Sequence, residues 1–200
     1  MNEKVKFLPW VGSEYTRGIN GKKVMVLGES HYCAHESEAV PELTRIIIRD
    51  LFDDKSEHEG YKNTYTKFGR ALAGKQLYDK DKEAVWNSVV FYNYVQVPLS
   101  EARKEPKVQD FTNSEIAFFD VLEQYHPDCL IVWGKRLYNN LPRRGYQTDD
   151  LIMPDGSKIE TWTYELANGH RVYLLPITHP SAAFTPEYWH DAIHRFIRRL

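Results

Sequence analysis

Four short apolar runs divide the chain. Val24-Met25-Val26-Leu27 follows Lys22-Lys23 and is stopped by Gly28, and Ser88-Val89-Val90-Phe91-Tyr92-Asn93-Tyr94-Val95 is β-branched and aromatic. Cys129-Leu130-Ile131-Val132-Trp133 again ends in a glycine, Gly134, and Arg171-Val172-Tyr173-Leu174-Leu175-Pro176-Ile177 runs into Thr178-His179-Pro180. Runs this short, apolar without alternation, read as strands covered on both faces, the condition of a parallel sheet. Between them the apolar period becomes helical. Residues 40–52 put Leu43, Ile46, Ile47 and Leu51 on one stripe, and residues 112–125 open on a Thr-Asn-Ser-Glu cap signal and turn Ile116, Phe119, Val121 and Leu122 inward. Residues 186–200 carry Trp189, Ile193, Phe196 and Ile197 on one face. Residues 141–171 break the rhythm with Pro-Asp-Gly and Ala-Asn-Gly-His turn signals around residues 159–166, which predicts a hairpin, antiparallel at the sheet edge. Strands alternating with helices require crossover connections. The expected fold is one α/β domain over residues 1–200: three layers, α/β/α, with a mainly parallel four-stranded central sheet plus the edge hairpin.

Composition narrows the classes of partner. Hydrophobic residues at 42% and charged residues at 27% are globular values, which sets aside disordered, collagen-like and coiled-coil readings. A net charge of -2 excludes a uniformly basic nucleic-acid binder, so a polyanion would have to meet a local patch. Candidate patches are Arg103, Lys104 and Lys107, then Lys135 and Arg136, Arg143-Arg144, and Arg195, Arg198 and Arg199. The 13 Tyr, 9 Phe and 5 Trp are more than a core of this size needs and can also stack on flat ligands. Cys33 and Cys129 stand apart, which excludes a disulfide framework, a Cys-rich zinc module and a four-Cys iron-sulfur site. No run is long enough for a membrane span and the opening MNEKVKFLPW lacks a signal-peptide core, so a soluble, cytoplasmic protein without a membrane partner is expected.

In a parallel sheet, ligands sit outside the carboxyl ends of the strands. Those ends carry Gly28-Glu29-Ser30-His31-Tyr32, Asn93-Tyr94-Val95-Gln96, Gly134-Lys135-Arg136 and Thr178-His179-Pro180-Ser181. The first, second and last resemble the uracil-DNA glycosylase superfamily, which has G-Q-D-P-Y-H or G-E-x-P-G after its first strand, an Asn ending a middle strand, and H-P-S after the last. Lys67-Phe68-Gly69-Arg70-Ala71 is also similar to an F-x-G-R-A stretch of the iron-sulfur branch. Order and spacing agree along nearly the whole chain.

The resemblance implies hydrolysis of an N-glycosidic bond to a uracil-like or deaminated base in DNA, a DNA-repair activity on a flipped or single-stranded base. Glu29 and His179 are then the catalytic pair, Glu29 orienting water or stabilising the sugar cation and His179 donating to the leaving base. Asn93, Phe68 and Tyr32 would bind the base by edge, face and exclusion of a C5 methyl, while Ser30, Ser181 and Phe184 would contact DNA. No cofactor is implied. The chain departs from the pattern at Ser30, where one branch has an Asp, and at His31, which replaces the motif's Pro. It departs again at Ala182-Ala183-Phe184, which displaces the intercalating residue to Phe184, and in lacking the cluster cysteines. A second reading is a non-catalytic protein that keeps the pocket and binds a nucleobase, a nucleotide or nucleic acid. A metal is not expected, although His31, Cys33, His35 and Glu36 cluster and His190 and His194 stand four apart on a helix.

Overall fold

A computed structural model describes residues 4–52, 59–101 and 104–200. In chain order the elements are β1 (Trp10–Val11), β2 (Val24–Gly28), α1 (Leu43–Asp50), α2 (Lys62–Ala73), α3 (Asp79–Asn87), β3 (Val89–Asn93) and α4 (Val108–Tyr125). There follow β4 (Cys129–Trp133), α5 (Lys135–Asn140), β5 (Tyr146–Ile152), β6 (Lys158–Glu165), β7 (Arg171–Ile177) and α6 (Pro186–Arg199). The strands form one seven-stranded sheet in the order β1-β3-β2-β4-β7-β6-β5.

The four apolar runs become its parallel centre. β2 pairs with β3 on one side and β4 on the other, and β4 pairs with β7, all parallel and in unbroken register. Every residue of β2, β3 and β4 is buried, as strands covered on both faces require. Val24, Val26, Phe91, Ile131, Trp133 and Ile177 face α1, α2, α3 and α6. Met25, Leu27, Val90, Tyr92, Leu130 and Val132 face α4 and α5. The hairpin expected at the edge is present as β5 and β6, antiparallel to each other, with β6 antiparallel to β7. β1, unexpected from the sequence, adds an antiparallel strand at the other edge.

Several sequence expectations change at the helices. α1 buries Thr44 and Ile48, not the stripe through Ile46, which is exposed. Thr44 faces inward to the buried His31, its hydroxyl 2.8 Å from Nε2. α4 starts at Val108, because the Asp110 carboxylate accepts the backbone N–H of Lys107 at 2.8 Å and caps the helix there. Its inner face is Phe111, Ser114, Ala117, Phe118, Val121 and Leu122, and Ile116 lies outside. α2, α3 and α5 escape a periodicity reading. The first half of α2 is polar, α3 is nearly all charged before Trp86, and α5 has only six residues. α6 is as expected, with Trp189, Ile193, Phe196 and Ile197 inward. Its histidines join it to α2: the His190 and His194 rings lie 2.9 and 2.8 Å from the carbonyl oxygens of Ala71 and Leu72, in the last turn of α2. Among the described residues, no helix is long and apolar enough to cross a membrane.

The topology marks a place for a site. The chain leaves β2 through α1, α2 and α3 on one face to reach β3, then crosses through α4 on the other face to β4, on the opposite side of β2. The connections after β2 and β4 therefore diverge, and the ground between their carboxyl ends is where a sheet of this kind is expected to offer a crevice to a ligand.

Candidate functional site

The loops leaving β2 and β3 continue the sheet's ladder beyond the strands. Tyr94 N–H donates to Gly28 O at 2.9 Å, Val95 N–H to Glu29 O at 2.8 Å and Leu99 N–H to His31 O at 2.9 Å, which fixes Glu29, Ser30 and His31 in place. Gly28 has no room for a side chain: a Cβ there would stand 2.1 Å from Asn93 Oδ1 and 3.0 Å from the Phe91 ring. Glycine at that position lets the Asn93 amide lie across the end of β2.

Across the crevice, β4 ends at Gly134, whose φ of 92° turns the chain into α5 and swings Arg136 onto Glu29. Arg136 Nε donates to Glu29 Oε2 at 2.9 Å and Nη2 to Oε1 at 2.5 Å, a bidentate fork. Arg136 Nη1 also donates to Glu105 Oε1 at 2.5 Å. The Glu29 side chain is 10% exposed, against 43% for Arg136 and 71% for Glu105. Hydrogen bonding to Glu29 pushes the arginine further above its already high pKa, so the guanidinium is a permanent cation.

His179 follows β7, its ring edge-on to Trp133 with centroids 5.9 Å apart. Its Nδ1 accepts the backbone N–H of Ser181 at 3.2 Å and lies 2.7 Å from the Ser181 hydroxyl. A neutral imidazole has one acceptor nitrogen, so this arrangement puts the ring proton on Nε2. Burial pushes the His179 pKa down; Glu29 raises it and Arg136 lowers it, so the ring is neutral at pH 7. His179 thus presents an uncharged Nε2–H donor beside the Glu29–Arg136 pair.

Asn93 is buried, with Nδ2 3.1 and 3.2 Å from the two ring nitrogens of His31. His31 also packs edge-on against Phe7, and burial pushes its pKa down to about 3. The unfolded chain takes up this proton near pH 6.5 and the folded chain near 3, so the uncharged ring supports the fold fully above pH 6.5. Stability is expected to fall by about 1.4 kcal/mol per unit as pH drops through that window. Urea melts between pH 7 and 4 on the wild type and His31→Gln measure this; equal slopes in the two would assign the effect to other groups.

Glu29, Ser30, Asn93, His179 and Ser181 therefore all stand at the carboxyl ends of the central strands β2, β3 and β7. Tyr32 is 46% exposed on the same loop, at the rim. Phe68 and Phe184 do not present themselves as expected. Phe68 is fully buried, 5.0 Å from Trp133 and 5.9 Å from Trp86 between ring centroids, and offers no face for a base to stack on. Its helix turns it into the core because the sheet face beneath is aromatic. Phe184 stacks on Trp189 with an interplanar angle of 13°, closing the core beside α6 in place of projecting as a wedge.

Sequence reasoning missed two rings. Tyr65, one turn before Phe68 on α2, is only partly buried and touches Phe91 and Trp133, 5.5 and 5.4 Å away. Its spacing of three from Phe68 was the available signal. The buried indole N–H of Trp133 and the buried Ser30 hydroxyl have no hydrogen-bond partner among the described residues. An unmet buried donor costs roughly 1–3 kcal/mol, which a ligand acceptor would recover.

Other features lie elsewhere. One concavity of 270 Å³ sits near the amino ends of the strands, by Ile19, Lys75 and Ser88, and another of 500 Å³ between Leu151 and Arg195, Arg198 and Arg199. Among the described residues, no three His, Cys, Asp or Glu side chains group as a metal site. Arg103 lies outside the described residues. The chain matches no protein-family model and no curated protein.

Proposed function

We propose that the chain is a uracil-DNA glycosylase-like hydrolase, which releases a uracil-like or deaminated base from a flipped or single-stranded nucleotide. The observation that carries the reading is the neutral Nε2–H of His179, oriented by Ser181, beside the carboxylate of Glu29 at the sheet's crevice. In the reaction the C1′–N bond breaks with its electron pair passing to the base, water adds its oxygen to C1′, and the proton that water loses ends on the departing base. His179 donates a hydrogen bond to the base oxygen on which charge develops, where a preformed donor has most effect. Both oxygens of Glu29 are held by Arg136, whose cation offsets much of its charge, so Glu29 would favour the cationic sugar only where the sugar stands nearer the carboxylate than the guanidinium. Asn93 reads the edge of the base by exchanging its contact with His31 for it, and Tyr32 screens the C5 side. Ser181 would meet the nucleotide backbone; the Ser30 hydroxyl, which is buried, would do so only if its loop opened, and Phe184 only if it leaves Trp189. The two buried, unpaired thiols Cys33 and Cys129 fit a reducing, cytoplasmic setting.

A second reading has specific support. Asn93 and Glu29 are both satisfied internally, by His31 and Arg136, as a protein that binds a nucleobase or nucleotide without turnover would allow. Incubation with single-stranded oligonucleotides containing uracil, hypoxanthine or xanthine, followed by alkali, separates the two. Strand breaks at the modified base are expected, and lost in Asn93→Ala. Thermal stabilisation by nucleobases with no breaks would replace hydrolysis by binding.

A further inference from the structure

A guanidinium has two edges that can each grip an oxyanion, and those of Arg136 are used unequally. The edge formed by Nε and Nη2 is filled by both oxygens of Glu29, whose side chain is 10% exposed. The edge formed by Nη1 and Nη2 carries a single bond, from Nη1 to one oxygen of Glu105, whose side chain is 71% exposed. The two legs differ in what holds them. Glu29 stands on a loop tied to the β3 loop by backbone hydrogen bonds and is shielded from water, so its pair persists. An ion pair as exposed as that of Glu105 contributes little, on the order of 0–1 kcal/mol, and yields to a better anion. A phosphodiester suits that edge, since its two free oxygens can take both Nη1 and Nη2, whereas Glu105, with the same single charge, reaches it through one oxygen.

We propose that the outer edge of Arg136 is a phosphate subsite, occupied in the free protein by the Glu105 carboxylate acting as a stand-in, and that its ligand is the phosphodiester of a nucleic-acid strand. Position favours a nucleotide as the source of that phosphate. The subsite lies at the crevice between β2 and β4, the exposed Tyr32 ring belongs to the Glu29 loop, and Lys135 beside Arg136 and Lys104 beside Glu105 are exposed cations. The exchange also keeps the site electrically consistent. Arg136 stays on Glu29 while its outer edge passes from carboxylate to phosphate, so the field at His179 from this pair is preserved. The inference deepens the nucleic-acid reading above and rests on it for the identity of the strand.

Fluorescence anisotropy with an undamaged, labelled single-stranded oligonucleotide tests it, because no base needs to be released. Glu105→Gln frees the outer edge and is expected to tighten binding roughly threefold to tenfold. Arg136→Gln is expected to weaken it by at least as much and to lower the slope of log affinity against log salt by about 0.7, one phosphate contact on a single strand. Arg136→Lys, which keeps the charge without the fork, should fall between. A mononucleotide competitor separates strand from free nucleotide: a gain in Glu105→Gln for either ligand supports the phosphate subsite, and the larger gain names the source. Unchanged or weaker binding of both by Glu105→Gln, with a native melting curve, overturns it. So does an equal gain for poly-glutamate, which would make the edge a general anion contact. If the wild type releases uracil while Glu105→Gln leaves binding unchanged, the subsite fails and the hydrolase stands. If binding responds and no base is released, the reverse holds.

Discussion

Replacing His179 by alanine is expected to slow base release by roughly a hundredfold to a thousandfold, the usual effect of removing one donor from a charge-stabilising site. The melting temperature should barely move, because the ring stands partly open at the end of β7 and its nearest aromatic contact is a single edge-on approach to Trp133. His179→Gln, whose amide can also donate, should recover part of the loss. Ser181→Ala gives a finer check. The Ser181 backbone N–H still reaches Nδ1, so the tautomer survives and the loss should be well below that of His179→Ala. A Ser181→Ala variant as slow as His179→Ala would mean that the imidazole cannot act without the hydroxyl and that the backbone N–H does not hold the ring by itself. Single-turnover rates with enzyme in excess measure all of these without interference from product release.

The second large effect is on stability and concerns Phe68. Phe68→Ala is expected to lower the unfolding free energy by about 3–5 kcal/mol, the range for removing a buried aromatic ring. The ring lies between Trp86 and Trp133 with no exposed face, and the cavity left would open under α2, which the His190 and His194 contacts hold against α6. Phe68→Leu keeps most of the volume and should cost less than about 1.5 kcal/mol. Denaturant melts decide the matter. A Phe68→Ala protein of nearly native stability that fails to bind nucleobases would restore Phe68 as a stacking residue.

The sheet was legible in the sequence because parallel strands buried on both faces leave continuous apolar runs, and all four runs became its parallel centre. Antiparallel β5 and β6 announced themselves through Pro154-Asp155-Gly156 and Asn168-Gly169 turns. The helices were less legible where tertiary contacts override periodicity. Thr44 turns inward for His31, and Ile116 turns outward although its neighbours are apolar. The strand-end rule located Glu29, Asn93 and His179, since it depends only on topology. It could not supply the partners. Arg136 is 107 residues from Glu29, and their fork exists only because β4 lies beside β2. His31 beneath Asn93 was visible as a departure from the motif, but nothing in the sequence said that the ring turns inward. Phe68 and Phe184 were read as ligand-facing from motif context, and the aromatic core claimed both.

Base release itself is the measurement that bears most directly on the hydrolase reading. A single-stranded oligonucleotide with one uracil, incubated with excess protein and analysed by mass spectrometry, should yield free uracil and an abasic strand in equal amounts, with neither from His179→Ala. Intact oligonucleotide from the wild type, repeated with hypoxanthine and xanthine, would contradict it.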